Sequence, residues 1–330
     1  MARLIRICLA ATVFFVVSGG ISEAETTYPN HAIKVMIPFP TGTQIDISTR
    51  IIAEKMASLL GQPFVVENKE GAQAQLACRD VVRAAPDGYT LGALPDGPTA
   101  TIPAAWAALG QKEKSLCNHT DLKPIGFLTD IPIVLAVRSD VPVATLSELI
   151  AYLKAKPRSL NFAGAHPSGK LGIALLKTMG AEVVLIPYGG DPRAWTDILS
   201  GNVHGTFSTA FFALPHITSK RARALAVVAA VRSPLLPDVP TVREAGYPEF
   251  ARFPTWGGLW APKDVPAAIV KKLNDALNTA LKDPTTVGKI RAMGLTPLPS
   301  KPEELGAQVA RQTAEMTEFI RENKLKLVGD

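Results

Sequence analysis

The sequence predicts an α/β protein of two domains, each built on a parallel sheet with helices on both faces. Three observations predict it. Short β-branched runs alternate with amphipathic stretches, glycine- and proline-bearing turns close the strand-like runs, and 330 residues exceed one ordinary hydrophobic core. Hydrophobic residues make up 47% and charged residues 19%, the balance of a globular chain.

The first element is a leader. Arg3 and Arg6 precede an apolar run from Ile7 to about Val17, which Ser18, Gly19 and Gly20 break. Ser22-Glu23-Ala24 places small residues where a signal peptidase reads. A membrane-spanning helix needs ~20 apolar residues, and this run is shorter. Residues 1–24 are therefore read as a cleaved signal peptide, which exports the mature chain from the cytoplasm. Cys8 has no cleavage site just before it, so no lipid anchor is expected. Cleavage removes Arg3, Arg6 and Glu23, lowering the formal charge from +6 to +5. That modest positive balance suits an anionic partner. No Lys/Arg block is interleaved with aromatics, so nucleic acid is not expected.

Ile33–Ile37 reads as a strand, followed by helical spacing at Ile45, Ile52, Met56 and Leu59. Phe64–Val66 is a second strand, 72–85 a helix, and 89–94 a third strand ending in a turn at Pro95-Asp96-Gly97-Pro98. From there strands at 131–137, 160–163, 183–186, 203–208 and 224–228 alternate with helices at 145–155, 170–179, 192–199 and 211–219. Helices at about 266–282 and 303–323 close the chain. Cys78 and Cys117 remain after cleavage, either as a disulfide or as two separate buried thiols.

Ligands of open parallel sheets bind beyond the carboxyl ends of strands, where helix N-termini offer free N–H groups. The post-strand turns are therefore the candidates. Turn one, Pro40 to Asp46, has Gly42 for close backbone approach and hydroxyls at Thr41 and Thr43, although Thr43 also reads as a plain helix cap. Gly164 to Leu171 nearly matches the phosphate loop G-x-x-x-x-G-K-[ST]. Leu171 replaces the Mg²⁺-binding hydroxyl, and an exported chain meets no nucleotide pool. An anion site remains, with Ser168, the Gly169 N–H and the Lys170 ammonium as donors. Ser208 and Thr209 end another strand. No G-x-S-x-G elbow and no metal spacing of His31, His119, His166, His204 or His216 occurs, so no cofactor, metal or catalytic group is expected.

Several motifs, in order along nearly the whole mature chain, resemble one family. Tyr28-Pro29 with Ile33–Pro40, Gly61-Gln62-Pro63 with Val65–Asn68, and Ala84–Leu91 are similar to stretches of the Bug-type solute receptors of tripartite tricarboxylate transporters. So are Ile186–Gly190, Leu214–Ile217, Arg223–Val227 and Arg232–Gly246. The resemblance implies a two-lobed periplasmic-binding-protein fold of type II, a Venus flytrap with two crossings. Lobe one would be 25–127 with 224–330, and lobe two 128–223. It further implies a monomeric receptor that binds a small organic anion, a di- or tricarboxylate or an aromatic acid, and delivers it to membrane permease subunits. The implied binding loops are Phe39, Thr41, Gly42, Thr43 and Asp46, then Pro95, Asp96 and Gly97, then Gly164, His166, Ser168, Gly169 and Lys170, then Ser208 and Thr209. A periplasmic hydrolase or a sensor subunit on the same scaffold is the alternative.

The chain departs from the family at these loops. Thr43 stands for the second glycine of turn one, and Gln73 and Ala74 interrupt a glycine-rich stretch. Asp96 puts a carboxylate where a hydroxyl turn is usual. Lys170 and Ser208 replace a usual His and Asp.

Overall fold

A computed structural model of the chain describes residues 28–328, apart from 230 and 234. The signal peptide read at residues 1–24 lies outside the described residues. Among those described, no helix is long and apolar enough to cross a membrane.

The first part of the chain lays down β1 (Ile33–Ile37), α1 (Gln44–Leu60), β2 (Phe64–Asn68), α2 (Gln75–Val82), β3 (Thr90–Pro95), α3 (Ile102–Ala108) and β4 (Leu122–Asp130). The middle lays down β5 (Ile133–Arg138), α4 (Leu146–Ala155), β6 (Asn161–Gly164), α5 (Pro167–Thr178) and β7 (Val184–Pro187). It continues with α6 (Asp191–Ser200), β8 (Gly205–Thr209), α7 (Ala210–Thr218) and β9 (Ala222–Val228). The last part returns with β10 (Trp256–Pro262), α8 (Ala267–Ala280), α9 (Pro284–Ala292) and α10 (Pro302–Glu322).

These strands form two five-stranded sheets, ordered β2-β1-β3-β10-β4 and β7-β6-β8-β5-β9. The chain passes from one to the other twice, between β4 and β5 and between β9 and β10, which makes the two-lobed fold. Both sheets are mixed and not purely parallel. β10 runs antiparallel to β3 and β4, and β5 runs antiparallel to β8 and β9. Each of these strands enters its sheet directly from the other lobe, without the crossover helix that a parallel neighbour requires.

Position 127/128 falls inside β4, which pairs with β10 in the first sheet, and 223/224 falls inside β9, which pairs with β5 in the second. Ladder hydrogen bonding ties each whole strand to one sheet.

Apolar faces of α1 (Ile45, Ile52, Met56) pack with β1 and β3 in the main core. Two tryptophans of β10 reach polar partners while buried. Trp260 Nε1 donates to Leu94 O at 3.2 Å, and Trp256 Nε1 to Gln312 Oε1 at 2.9 Å, holding α10 against the first sheet. Cys78 in α2 and Cys117 before β4 form a disulfide with Cα atoms 5.7 Å apart, within the usual span of such bonds.

One helix is broken where the sequence spacing predicts it whole. The helix expected from 72 to 85 is a short 3₁₀ turn at Ala72–Ala74 and then α2. Gly71, Ala72, Gln73 and Ala74 take φ values of 121°, 46°, 54° and 72° in succession, a left-handed run that the α-helix cannot continue. Gln73 is exposed. Gln73→Gly is therefore expected to raise unfolding stability by about 1 kcal/mol, because glycine takes positive φ without the Cβ clash. Urea denaturation reads this, and a destabilised variant would show that the run is not strained at Gln73.

Candidate functional site

A cavity of about 70 Å³ lies between the lobes. Its wall takes Phe39, Thr43, Gln44, Ile45, Pro95, Asp96 and Gly97 from the first lobe, with Thr255. The second lobe supplies Ile133, Ala165, His166, Pro167, Ser168, Gly190, Asp191, Thr209 and Phe212, and Ile131 stands at the crossing. The lobes touch directly: Ser168 Oγ donates to Asp96 Oδ2 at 3.4 Å. A Cβ on Gly97 would stand 3.0 Å from Pro167 Cγ. The cleft is closed.

The helix starts α1, α5, α6 and α7 converge on this cavity, because each follows a strand whose carboxyl end points at it. At α1 the capping hydroxyl is turned away. Thr43 Oγ1 donates to Pro40 O at 2.8 Å, and no side chain caps the first amides. Gly190 and Thr209 likewise leave the starts of α6 and α7 without a side-chain cap. The first amide of α7, Ala210 N, donates to Pro132 O at 3.0 Å; amides left uncapped at such helix starts, with the positive end of the helix dipole, suit a carboxylate.

Of the residues read from the sequence, Phe39, Thr43, Pro95, Asp96, Gly97, His166, Ser168 and Thr209 stand in the wall. Seven others stand behind it. Thr41 is exposed and bonds to Asn68. Gly42 turns the chain at φ 82° and gives its N–H to Asp46 Oδ2. Asp46 is buried and also accepts from Arg50 Nε and Asn68 Nδ2, while Asn68 holds Phe39 O. Burial would raise the Asp46 carboxyl, but the bonds from Arg50, Gly42 and Asn68 outweigh it and hold it below its ordinary value. Asp46 thus shapes turn one without reaching the cavity.

The near phosphate loop is not a loop. Pro167, placed for a first helical position, starts α5 three residues before the expected 170. Gly169 and Lys170 therefore lie inside its first turn. The Gly169 N–H is taken by His166 Nδ1 at 3.0 Å. Burial pushes the Lys170 ammonium below its ordinary pKa, and Lys170 faces a second groove with Glu70, Gln73 and Tyr188. Gly164 abuts Leu185 and Lys170. Ser208 Oγ accepts from Trp195 Nε1 at 2.9 Å and sits behind the wall. Pro95-Asp96-Gly97 is not a turn either: β3 runs straight into a π-helical turn, Gly97–Thr101, and then α3.

Sequence reading missed Ile131, Ile133, Gly190, Asp191, Phe212 and Thr255. Asp191 had a readable signal. Gly189-Gly190-Asp191-Pro192 follows a strand and opens a helix, the same grammar as the other turns. Its Oδ2 accepts from Thr209 N and Oγ1 at 3.2 and 3.0 Å. The Asp96 carboxyl accepts from Thr101 and Ser168 through Oδ2. Burial pushes it up to about 7, against the smaller opposing effect of those bonds. Burial also lowers the His166 pKa. Since Nδ1 accepts from Gly169, the neutral ring carries its proton on Nε2.

Two α/β lobes closed over a small cavity walled by helix N-termini make a solute-binding protein. Residues 48–325 match the model of the tripartite tricarboxylate transporter family receptor, and the chain belongs to that family of solute-binding receptors. Protein BugT of Bordetella pertussis is 32% identical over 325 residues, covering 97% of this chain and 98% of that one. Among solved structures, a Rhodopseudomonas palustris protein with adipate matches at a TM-score of 0.82 and 28% identity, covering 90% of this chain and 99% of that one. MatC from Rhodopseudomonas palustris with bound malate matches at 0.80 and 29%, covering 89% and 100%.

Proposed function

We propose that the mature chain is a monomeric periplasmic receptor that closes on a small carboxylated solute and delivers it to the membrane permease subunits of a tripartite tricarboxylate transporter. The observation that carries this reading is the convergence of uncapped helix N-termini from both lobes on one inter-lobe cavity. The adipate and malate in the related structures agree with it. Lobe one then runs to Asp130 and resumes at Trp256, and lobe two spans Ile133 to Val228. The solute enters an open cleft, its carboxylate meets the amides at the start of α1, and closure brings the lobe-two wall over it.

A thermal-shift screen of the purified mature protein against carboxylates tests the reading. A ligand at a hundredfold excess over its Kd adds ~2.7 kcal/mol to stability. A rise in Tm without turnover supports a receptor, and no rise with any carboxylate overturns it.

Closure itself gives a sharper expectation. In Gly97→Val the new side chain meets the Pro167 ring across the cleft and holds the lobes apart. Affinity for the best carboxylate should fall about tenfold or more, or ~1.4 kcal/mol. Calorimetry showing unchanged affinity would mean that this contact does not form in the bound state.

A further inference from the structure

We propose that the solute is an amino carboxylate, carrying a protonated amine beside its carboxylate, and not a di- or tricarboxylate. This rests on the receptor reading above and narrows its substrate class. Two acids stand in the cavity wall, Asp96 from the first lobe and Asp191 from the second. They are 3% and 5% exposed. Each spends one oxygen inside the protein: Asp96 Oδ2 on Thr101 and Ser168, and Asp191 Oδ2 on Thr209. The other oxygen of each, Oδ1, is buried and finds no partner among the described residues.

No lysine or arginine stands among the described wall residues to balance these acids. Lys170 opens onto the neighbouring groove, and Arg50 is bound to Asp46 and Asn68. Buried acceptors need donors, and a closed cleft withholds bulk water from them. An ammonium group brings three donors and a positive charge. A second carboxylate brings only further acceptors to the unpartnered Asp96 Oδ1 and Asp191 Oδ1, an arrangement that discriminates against the dianion. The apolar wall of Phe39, Ile45, Ile131, Ile133 and Phe212 takes the carbon body between the two ends.

The test pairs each amino carboxylate with its deaminated isostere by calorimetry on the mature wild-type protein. The panel is the protein amino acids, β-alanine against propionate, γ-aminobutyrate against butyrate, leucine against isocaproate, and succinate and malate as dianions. The expected result is an amino carboxylate that binds at least ~tenfold tighter than its deaminated partner and than either dianion. Asp96→Asn and Asp191→Asn should each shrink that ratio, with binding of the deaminated partner kept or improved. Succinate, malate or a deaminated acid binding as tightly as the amino carboxylates overturns this inference and leaves the carboxylate receptor standing. If nothing in the panel binds, both readings fall. Unchanged ratios in both variants would show that neither acid meets the amine, which also overturns the inference.

Discussion

Asp96→Asn is expected to stabilise the ligand-free protein above neutral pH by an amount on the order of 4 kcal/mol, the upper end of what its environment allows. The folded carboxyl titrates near 7 against an ordinary 3.8. A raised folded pKa favours the protonated form. Its contribution to stability is fully present below pH 3.8 and is lost as pH rises through about 7. At ~1.4 kcal/mol for each pH unit, that interval gives the figure above. Asparagine has no proton to lose, so the variant's contribution from this position stays level across the window. Urea denaturation of wild type and variant at about pH 4 and about pH 8 reads the difference. The gap between them should open only at the higher pH. Curves that stay parallel would show that Asp96 is solvated in the ligand-free state, as in a cleft that stands open.

Loss of the disulfide should be comparably costly. Cys78 and Cys117 are separated by 39 positions and almost fully buried. A crosslink closing a loop of that length restricts the unfolded chain by about 4 kcal/mol in the chain-entropy account. It also ties α2 to the segment entering β4, on either side of α3. Cys78→Ser with Cys117→Ser should lower the unfolding free energy by about that amount. The new hydroxyls, set in an apolar cluster with Met36, Leu94 and Trp260, would add to the loss. Ligand affinity below the lowered Tm should be retained, since the pair lies outside the cavity wall. A double variant as stable as wild type would show that the bond does not form in the protein.

Most helices and the parallel strands were legible because their signals are local. The Ile45–Met56 spacing marks α1, and the β-branched run Ile33–Ile37 marks β1. β4 and β10 were not legible. β4 carries Pro124 and Gly126, and β10 reads Trp-Gly-Gly-Leu-Trp-Ala-Pro. Such residues weaken a strand signal. Burial against each other and against α10 overrides it, through pairings more than a hundred residues apart in sequence. α9 was missed because Pro284–Ala292 shows little apolar periodicity and buries only Thr286 and Ile290.

At the candidate site, the turns read from the sequence meet at the inter-lobe cavity, and several of the groups in them do not line it. Lys170 looked like the anion donor, yet Pro167 starts the helix early and rotates Lys170 away to the next groove. Asp46 looked like a contact and serves as the buckle of turn one. Asp191 was passed over as part of an ordinary helix start, and it faces the cavity from the second lobe.

By itself, then, the sequence determined the α/β class, the order of most elements and the family. Period, turn chemistry and motif order are properties of neighbouring residues, so they can be read along the chain. Tertiary structure alone decided that both sheets are mixed, which strand each crossing follows, and which side of each turn faces the cleft. Those depend on segments such as Phe39, Asp96, Ser168 and Asp191 meeting across two lobes. Their burial and their unmet oxygens exist only where the lobes close.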